Sequence, residues 1–586
     1  MQSQEHYDLD VLVETHVQNI YPDLPAKKIA AALIEAMDLK NCQSTPIPHS
    51  NHWTEKDVWV ITYGDSIRRE NETPLKTLLN FLDHDLKGLV NGIHILPFYP
   101  YSSDDGFSVI DYLKVNDALG DWADIQHIAA NYRLMADLVI NHCLARSSWF
   151  EDFKYGKHPG KDYFITVDKD SDFSAVVRPR TSPLFKVVET LEGQKNLWCT
   201  FSHDQVDLNF ANPDVLVEMV KIIKYYLDWG VRILRLDAVA FLWKEQGTSC
   251  IHLPQTHEII RLLHTLVEHY CPDAILITET NVPNHENLSY FGNANEAHGV
   301  YNFALPPLIV HALVTGTSKH LKTWQMSMPP AQTGTFYFNF LASHDGIGLR
   351  PVEGLLSEDE ISQLVNCMES FGGKISWRST ENNNAKPYEI NIALFDAFKG
   401  TLSGRDNWQL QRFLCAHAIM LSLEGIAGIY IHSFIGTENY EKGVVHTNQN
   451  RSINRFKWDY ELLDKQLNDA NSHHAAVYKG IKKLLQIRIK QPAFHPNAVQ
   501  YTLHISDQVF GFWRQSPNRE QSIFCLHNVS NETVFIPLSS LNLINLDTWV
   551  NLITGTHFVD LEHKISLAPY EFIWLTNKLL GCELSN

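Results

Sequence analysis

Arg235 and Asp237 stand two residues apart at the end of an apolar run, GVRILRLD (Gly230–Asp237). On an extended strand, residues i and i+2 project from one face, so both side chains reach the same space beyond the strand's carboxyl end. A carboxylate there needs a partner. A neighbouring guanidinium holds it ionised, the state that a nucleophile requires. Taken alone, the pair reads equally well as a structural salt bridge. Other apolar runs end in the same manner: Asp137, Asn141 and His142 close LMADLVINH, Glu279 follows AILIT, and His344 and Asp345 follow FYFNFLAS. Three carboxylates brought to one pocket would divide the labour. Asp237 beside Arg235 is expected to stay ionised, whereas Glu279, among like charges after an apolar strand, is expected to have a raised pKa and to act as an acid. An ionised nucleophile with a protonated carboxylic acid is the apparatus that cleaves a glycosidic bond with retention. Asp345 would then hydrogen-bond the sugar.

Several of these residues also have plainer readings. Asp137 and Asn141 read first as scaffolding, and either histidine reads as a satisfied interior group. No HxxxH pair or His/Cys cluster marks a metal site, and no GxxxxGK loop marks a nucleotide site, so neither metal nor cofactor is expected. The aromatic run Phe98–Tyr101 leads into SSDDGF, which puts Asp104 and Phe107 within reach of a sugar. Arg455, in RSINRF, would pair inside an acidic pocket with a carboxylate such as Asp104. Arg146, Arg180, Arg378 and Lys386 lie in long connections and are candidates for phosphate by location only.

The elements that must position these groups are short apolar runs at Val58–Tyr63, Gly92–Phe98, Leu134–Asn141, Val231–Leu236, Ala274–Thr278, Val300–Leu305, Phe336–Ala342 and Gly425–Ile431. Helical patterns, as at Asn212–Trp229, His257–Tyr270 and Asn407–Leu423, separate some of them. Strand alternating with helix implies a parallel sheet, and eight units suggest a closed (β/α)8 TIM barrel, with an open doubly wound sheet as the alternative. In a barrel the strand-end groups converge on the face built by the loops that follow the strands. Two of those loops, at about 143–206 and 346–397, are long enough to be inserted domains. Residues 1–50 read as a helical segment, with helical spacing through Lys27–Asp38, and 51–490 as the catalytic barrel. Residues 491–586 read as an antiparallel β domain, from the alternation in YTLHI, VFGFWRQ, SIFCLHNV, TVFIPL and EFIWLTN.

Composition narrows the partners. The chain has 586 residues, 44% of them hydrophobic, and Lys+Arg 48 against Asp+Glu 67 gives a formal net charge of −19. That balance argues against nucleic acid or an anionic membrane. No signal-peptide core or bilayer-length apolar run is present, which points to the cytoplasm. The nine scattered cysteines, with no CxxC pair, read as reduced thiols.

DLVINH (Asp137–His142), QVDLN (Gln205–Asn209), RILRLD (Arg232–Asp237), ITET (Ile277–Thr280) and ASHD (Ala342–Asp345) occur in this order on the expected strands and loops. Together they resemble the ordered sequence regions of the α-amylase superfamily, glycoside hydrolase family thirteen. The resemblance implies Asp237 as nucleophile, Glu279 as acid/base and Asp345 as transition-state stabiliser, with His142, Arg235 and His344 in a glucose subsite. LPFYPYSSDDGFSVIDY (Leu96–Tyr112), SHDGIGLRPVEGLL (Ser343–Leu356) and INRF (Ile453–Phe456) are similar to the sucrose phosphorylase group within it. By that match Asp104 and Arg455 would close the subsite behind one glucosyl unit, and Phe107 would form an apolar platform. Phe241 stands where sucrose phosphorylase has a tyrosine, and the segment Phe241–His257 with the excursion Gly346–Ala397 looks more like the glucosylglycerate and glucosylglycerol phosphorylases. The implied activity is transfer of an α-glucosyl unit from a small glucoside, glucosylglycerate first, to inorganic phosphate. Sucrose, sucrose 6′-phosphate and glucosylglycerol phosphorylases, and an amylosucrase-like transglucosidase or hydrolase, are the alternatives. The partners implied are the glucoside and phosphate, with a homodimer allowed.

Overall fold

In the computed structural model, which describes residues 8–40, 45–168, 171–179, 182–379, 385–541, 549–558 and 564–579, the eight apolar runs close into a parallel barrel. Its strands are β1 (Val58–Thr62), β2 (Gly92–Ile95), β3 (Arg133–Leu138), β4 (Val231–Leu236), β5 (Ile275–Thr278), β6 (Gly299–Tyr301), β7 (Phe336–Phe340) and β8 (Ile426–Tyr430). Each pairs with its neighbour in sequence, and β8 closes on β1 with Ala427 opposite Val58. Arg133 and Arg232 aside, every residue of these strands is buried. Burial on both faces explains the continuous apolar runs.

Several strands stop short of their apolar run, β2 at Ile95 instead of Phe98 and β7 at Phe340 instead of Ala342 among them. β3 ends at Leu138 instead of Asn141, because the chain turns at the rim and His142–Leu144 pairs antiparallel with Gln205–Asp207. β6 ends at Tyr301, and Leu305 already opens the helix Leu305–Thr315. Pro306 and Pro307 occupy that helix's first turn, where a missing N–H leaves no bond unmade.

Aromatic side chains fill the barrel, and glycines make room for them. Trp59 lies 5.8 Å from Phe336 and 5.3 Å from Phe338, centroid to centroid. A Cβ at Gly92 would fall 2.1 Å from Trp59 Cδ1, and one at Gly428 would fall 2.4 Å from Phe338 Cζ. Both glycines therefore permit a close approach that any side chain would block.

Around the barrel, α1 (Leu9–Ile20) buries Val13, Val17 and Ile20, and α2 (Ala26–Ala36) buries Ile29, Ala30, Leu33 and Ile34. The first packs on the outer helix Pro254–Tyr270 and the second on Pro213–Asp228, and His16 Nδ1 meets Glu258 at 2.8 Å. The long loop after β3 carries the antiparallel strands Thr166–Val167, Phe185–Thr190 and Gly193–Trp198. The one after β7 carries the helix Glu358–Ser370 and a sheet of Ile347–Gly348, Lys374–Ser379 and Ala385–Asn391.

Beyond the barrel, Val499–Ser506, Val509–Gln515, Ser522–Asn528, Phe572–Thr576, Trp549–Asn551 and His557–Phe558 form an antiparallel sheet in that order. Two fully buried arginines sit at its junction with the barrel, Arg514 on the sheet itself and Arg488 at the end of the helix His473–Arg488. Arg514 donates to the carbonyls of Ser422 (2.7 Å) and His495 (2.8 Å), and Arg488 donates to those of Leu421 (2.8 Å) and Glu55. Among the described residues no helix is long and apolar enough to cross a membrane.

The barrel packing makes a direct prediction. Gly92→Ala drives a methyl into Trp59, and overpacking of this kind costs about 1–3 kcal/mol. Urea unfolding is expected to show that loss; an unchanged midpoint would mean that the barrel interior yields freely.

Candidate active site

The groups at the strand ends meet in one pocket at the carboxyl end of the barrel. It encloses about 770 Å³ of space, counting its open mouth, and its lining includes Asp104, Phe107, His142, Asp237, Phe241, Glu279, His344 and Asp345. Arg235 sits at its floor, 3% exposed. Its Nη1 donates to Asp137 and, at 2.8 Å, to Asp237 Oδ1, while Nη2 lies 3.8 Å from Glu279 Oε1. The other oxygen of Asp137 meets His94 Nε2 at 2.7 Å. Burial alone would push Asp137 up, but Arg235 and His94 hold it down at about 2. The scaffolding expected of Asp137 is this ion-paired floor.

The geometry corrects the expectation that Arg235 simply keeps Asp237 ionised. Burial raises Asp237 well above the usual carboxylate range, Glu279 and Asp137 add to the shift, and Arg235 opposes it without cancelling it. Glu279 is raised as well, first by burial and then by Asp345 and Asp137, against Arg235 and the Ala238 N–H. The reason is arithmetic: one buried guanidinium serves three carboxylates, and Asp137 takes the first share. The pair therefore holds a proton at a pH where free carboxylates are ionised.

Local backbone sets the Glu279 contact. Ala238, directly after Asp237, has φ 51° and ψ 30°, in the left-handed region, and its N–H donates to Glu279 Oε2 at 3.1 Å. A non-glycine residue held there marks strain that the surroundings must maintain.

The opposite wall is built around Asp345. Arg451 Nη1 lies 2.5 Å from Asp345 Oδ1, and the same guanidinium grips Glu389 with Nε at 3.0 Å and Nη2 at 2.7 Å. Arg455 pairs with Asp105, not with the expected Asp104, and its Nε donates to the His344 carbonyl at 2.9 Å. Asp105 and Asp104 both adopt positive φ, a turn that sends the two carboxylates to different places. Asp104 lines the pocket and accepts Gln205 Nε2 at 3.3 Å. Phe107 stacks on His344 with ring centres 4.9 Å apart and planes 8° apart. Burial, with Arg455, Arg235 and Arg451, lowers His344 well below the usual histidine range, so that ring is neutral. His142 Nε2 donates to the Phe107 carbonyl at 3.1 Å. Asn141 is tied to Asp207 (3.0 Å) and Lys244 (2.7 Å) behind it.

The lining also includes polar and aromatic residues that the sequence does not single out: Phe201, Gln205, Asn281, Arg350, Tyr388 and Arg451. Arg451 had a signal, since it lies four residues before Arg455 in RSINRF. Glu389 had none, because its place follows from strand register, Gly348 opposite Glu389. Of the cations suggested by location, Arg378 pairs with Glu353 at 2.6 Å, Lys386 pairs with Glu358 at 2.7 Å, and Arg146 is exposed. None of the three is in the pocket lining. Arg180 lies outside the described residues. Among the described residues two His/Glu groups come within metal-ligand reach, His264–Glu268–His298 and His311–His320–Glu360, and neither lines the pocket. In the first, His298 Nδ1 accepts the Leu276 N–H at 3.1 Å, so its Nε2 carries the proton towards Glu268. That is a hydrogen-bonding tautomer and not a ligating one.

Comparison with known proteins fits this geometry. Residues 75–347 match the catalytic domain of α-amylase. Over 528 residues the chain is 44% identical to the glucosylglycerate phosphorylase of Spirochaeta thermophila, covering 89% of this chain and 90% of that protein. The chain belongs to the α-amylase family, among its glycoside phosphorylases. A second such relative, the glucosylglycerate phosphorylase of Escherichia coli, is 40% identical over 89% of this chain and 92% of its own. The crystal structure of sucrose 6F-phosphate phosphorylase from Thermoanaerobacter thermosaccharolyticum superposes with a TM-score of 0.71, at 22% identity, over 88% of this chain and 98% of that one. At that identity it speaks for the α-amylase fold alone.

Arg451 is the test of the wall. Arg451→Leu would strand Glu389, whose side chain is 2% exposed, and breaking a buried pair from one side costs about 3–5 kcal/mol. The double variant Arg451→Leu/Glu389→Leu is expected to recover part of that loss in urea unfolding. Equal stability of wild type and Arg451→Leu would dismiss the network.

Proposed function

We propose that the chain transfers the glucosyl unit of glucosylglycerate to inorganic phosphate, giving α-glucose 1-phosphate and glycerate with retention. The observation that carries this reading is the meeting of Asp237, Glu279 and Asp345 in one pocket of a chain among the glycoside phosphorylases. Asp237 receives an N–H from Arg235 at 2.8 Å, which favours charge on its carboxylate. Glu279 has only the Ala238 N–H and a guanidinium nitrogen at 3.8 Å, and the reaction requires the proton that the pair shares to be on it. Asp237 attacks the anomeric carbon while Glu279 protonates the departing oxygen, so the C–O bond to glycerate breaks as a glucosyl ester forms. A phosphate oxygen then attacks the same carbon, Glu279 takes the proton back, and Asp237 is released. Two inversions give retention. Asp345, steadied by Arg451, would accept sugar hydroxyls, and the Phe107–His344 stack would support the ring. Arg455 with Asp105 supports closure behind one glucosyl unit. The described cysteines are free thiols, in keeping with the reducing cytoplasm.

Incubation with glucosylglycerate, glucosylglycerol, sucrose or sucrose 6′-phosphate tests the reading. Glucose 1-phosphate is expected from glucosylglycerate, and only with phosphate present; free glucose released regardless of phosphate would replace the reading with a hydrolase. Variants test the roles. The folded pocket raises Asp237 above its unfolded value of about 4, so its ionised form opposes folding at neutral pH. Asp237→Asn is therefore expected to abolish turnover yet melt at pH 7 at or above the wild-type temperature. Near-wild-type activity would sink the nucleophile assignment. Glu279→Gln is expected to slow the first half-reaction least for donors with good leaving groups, and an equal loss for all donors would count against the acid.

A further inference from the structure

Phosphorolysis brings two anions to the same mouth in turn, the carboxylate of the departing glycerate and then phosphate. Both must enter a pocket lined by Asp104, Asp237, Glu279 and Asp345, where an anion needs a cation that is not already taken. Among the described residues two arginines are in the lining, Arg350 and Arg451. Arg451 is committed on every side, to Glu389 through Nε and Nη2 and to Asp345 through Nη1. Arg350 is different. Among the described residues its guanidinium has neither a carboxylate partner nor a hydrogen bond.

We propose that Arg350 is the anion-binding group of the acceptor side, receiving the glycerate carboxylate and the phosphate one after the other. The inference rests on the phosphorylase reading above and names the residue that would recognise its two acceptors. The loop fixes where Arg350 stands. Gly348 pairs with Glu389, the Leu349 N–H donates to the Tyr388 carbonyl at 3.0 Å, and Arg350 opens a turn closed by the Glu353 N–H at 3.2 Å. The backbone is held while the side chain has no partner. The nearby acid Glu286 is occupied by His252, Nε2 to Oε2 at 3.0 Å, and the Arg350 charge contributes to lowering that histidine.

A second observation points to the same ligands. Asn281 shares the lining, and its Oδ1 is buried without a hydrogen-bond partner. Gly348 lets the loop close on it, since a Cβ there would fall 2.8 Å from Asn281 Nδ2. An orphaned acceptor in the same lining as a cation without a partner among the described residues suits a ligand that offers an anion together with an O–H. Glycerate offers a carboxylate and adjacent hydroxyls; monohydrogen phosphate offers anionic oxygens and one O–H. Glycerol offers hydroxyls alone. One cation for two anions makes glycerate and phosphate mutually exclusive, so the first must leave before the second enters.

The experiment uses α-glucosyl fluoride as donor, which carries neither anion, and measures kcat/KM for capture of the glucosyl-enzyme by phosphate, glycerate and glycerol. In wild type, Arg350→Gln and Arg350→Lys, each value reports capture of the same intermediate. For Arg350→Gln the phosphate and glycerate values are expected to fall together, by about 100-fold, the usual worth of a charged hydrogen bond. Glycerol is expected to change by less than about threefold, and Arg350→Lys to recover part of both anion losses. A uniform fall for all three acceptors would overturn the proposal in favour of a structural role. A fall for only one anion, or for neither, would overturn the shared site while leaving phosphorolysis by the wild type intact. Wild type that passes glucose to glycerol but to neither anion would overturn the phosphorylase reading along with it.

Discussion

One buried guanidinium governs this active site. Arg235 projects from the end of β4 into a region sealed from water and is contacted by three carboxylates from three strands. A single positive charge cannot neutralise three negative ones in a low dielectric. The site resolves this unequally: Asp137 is fully ionised at the floor, whereas Asp237 and Glu279 retain a proton between them. The poise of the chemistry thus depends on a residue that never touches the scissile bond. It also depends on His94, because the histidine secures Asp137 from its other side and fixes how much of Arg235 remains for the others.

The loops add a second layer in which charges are paired off until few remain. Arg451 joins Asp345 to Glu389, Arg455 joins Asp105 to the His344 carbonyl, and Lys244 answers Asp207 behind Asn141. The first two pairings tie the connection after β8 to those after β7 and β2, and the third ties the loop after β4 to the one after β3, so the wall of the pocket forms only when the barrel has closed and the excursions have docked. Strain at Ala238 belongs to the same logic, because the left-handed turn aims one N–H at Glu279 and is maintained by the packing on both sides.

Much of this was readable in advance because it depends on period and end position. Buried parallel strands announce themselves as apolar runs, and polar groups shortly past a run's carboxyl end fall at the same end of the barrel, which is why Asp237, Glu279 and Asp345 could be named from the chain. The rest depends on register and turn geometry. Glu389 faces Arg451 because Gly348 pairs opposite it, and no local pattern in AKPYEIN encodes that. Asp105 and not Asp104 meets Arg455 because two consecutive residues take positive φ, and adjacent aspartates in SSDDGF look alike in sequence. The apparent run to Leu305 failed as a strand because two prolines start a helix there. The protonation balance was misjudged for a related reason: Arg235 was visible beside Asp237, but the prior claim of Asp137 on it comes from the neighbouring strand.

The two arginines at the base of the C-terminal sheet have a consequence for recombination. Arg488 and Arg514 are buried with backbone carbonyls as their partners, drawn from Glu55, Leu421, Ser422 and His495. Backbone acceptors keep no record of side-chain identity, so a graft from a relative would need only the arginines and the path of the chain to match. What it could not tolerate is a chain path that moves those carbonyls away from the arginines. A seam before Arg488 carries both arginines with the sheet, and the host backbone at Glu55, Leu421 and Ser422 must then meet them.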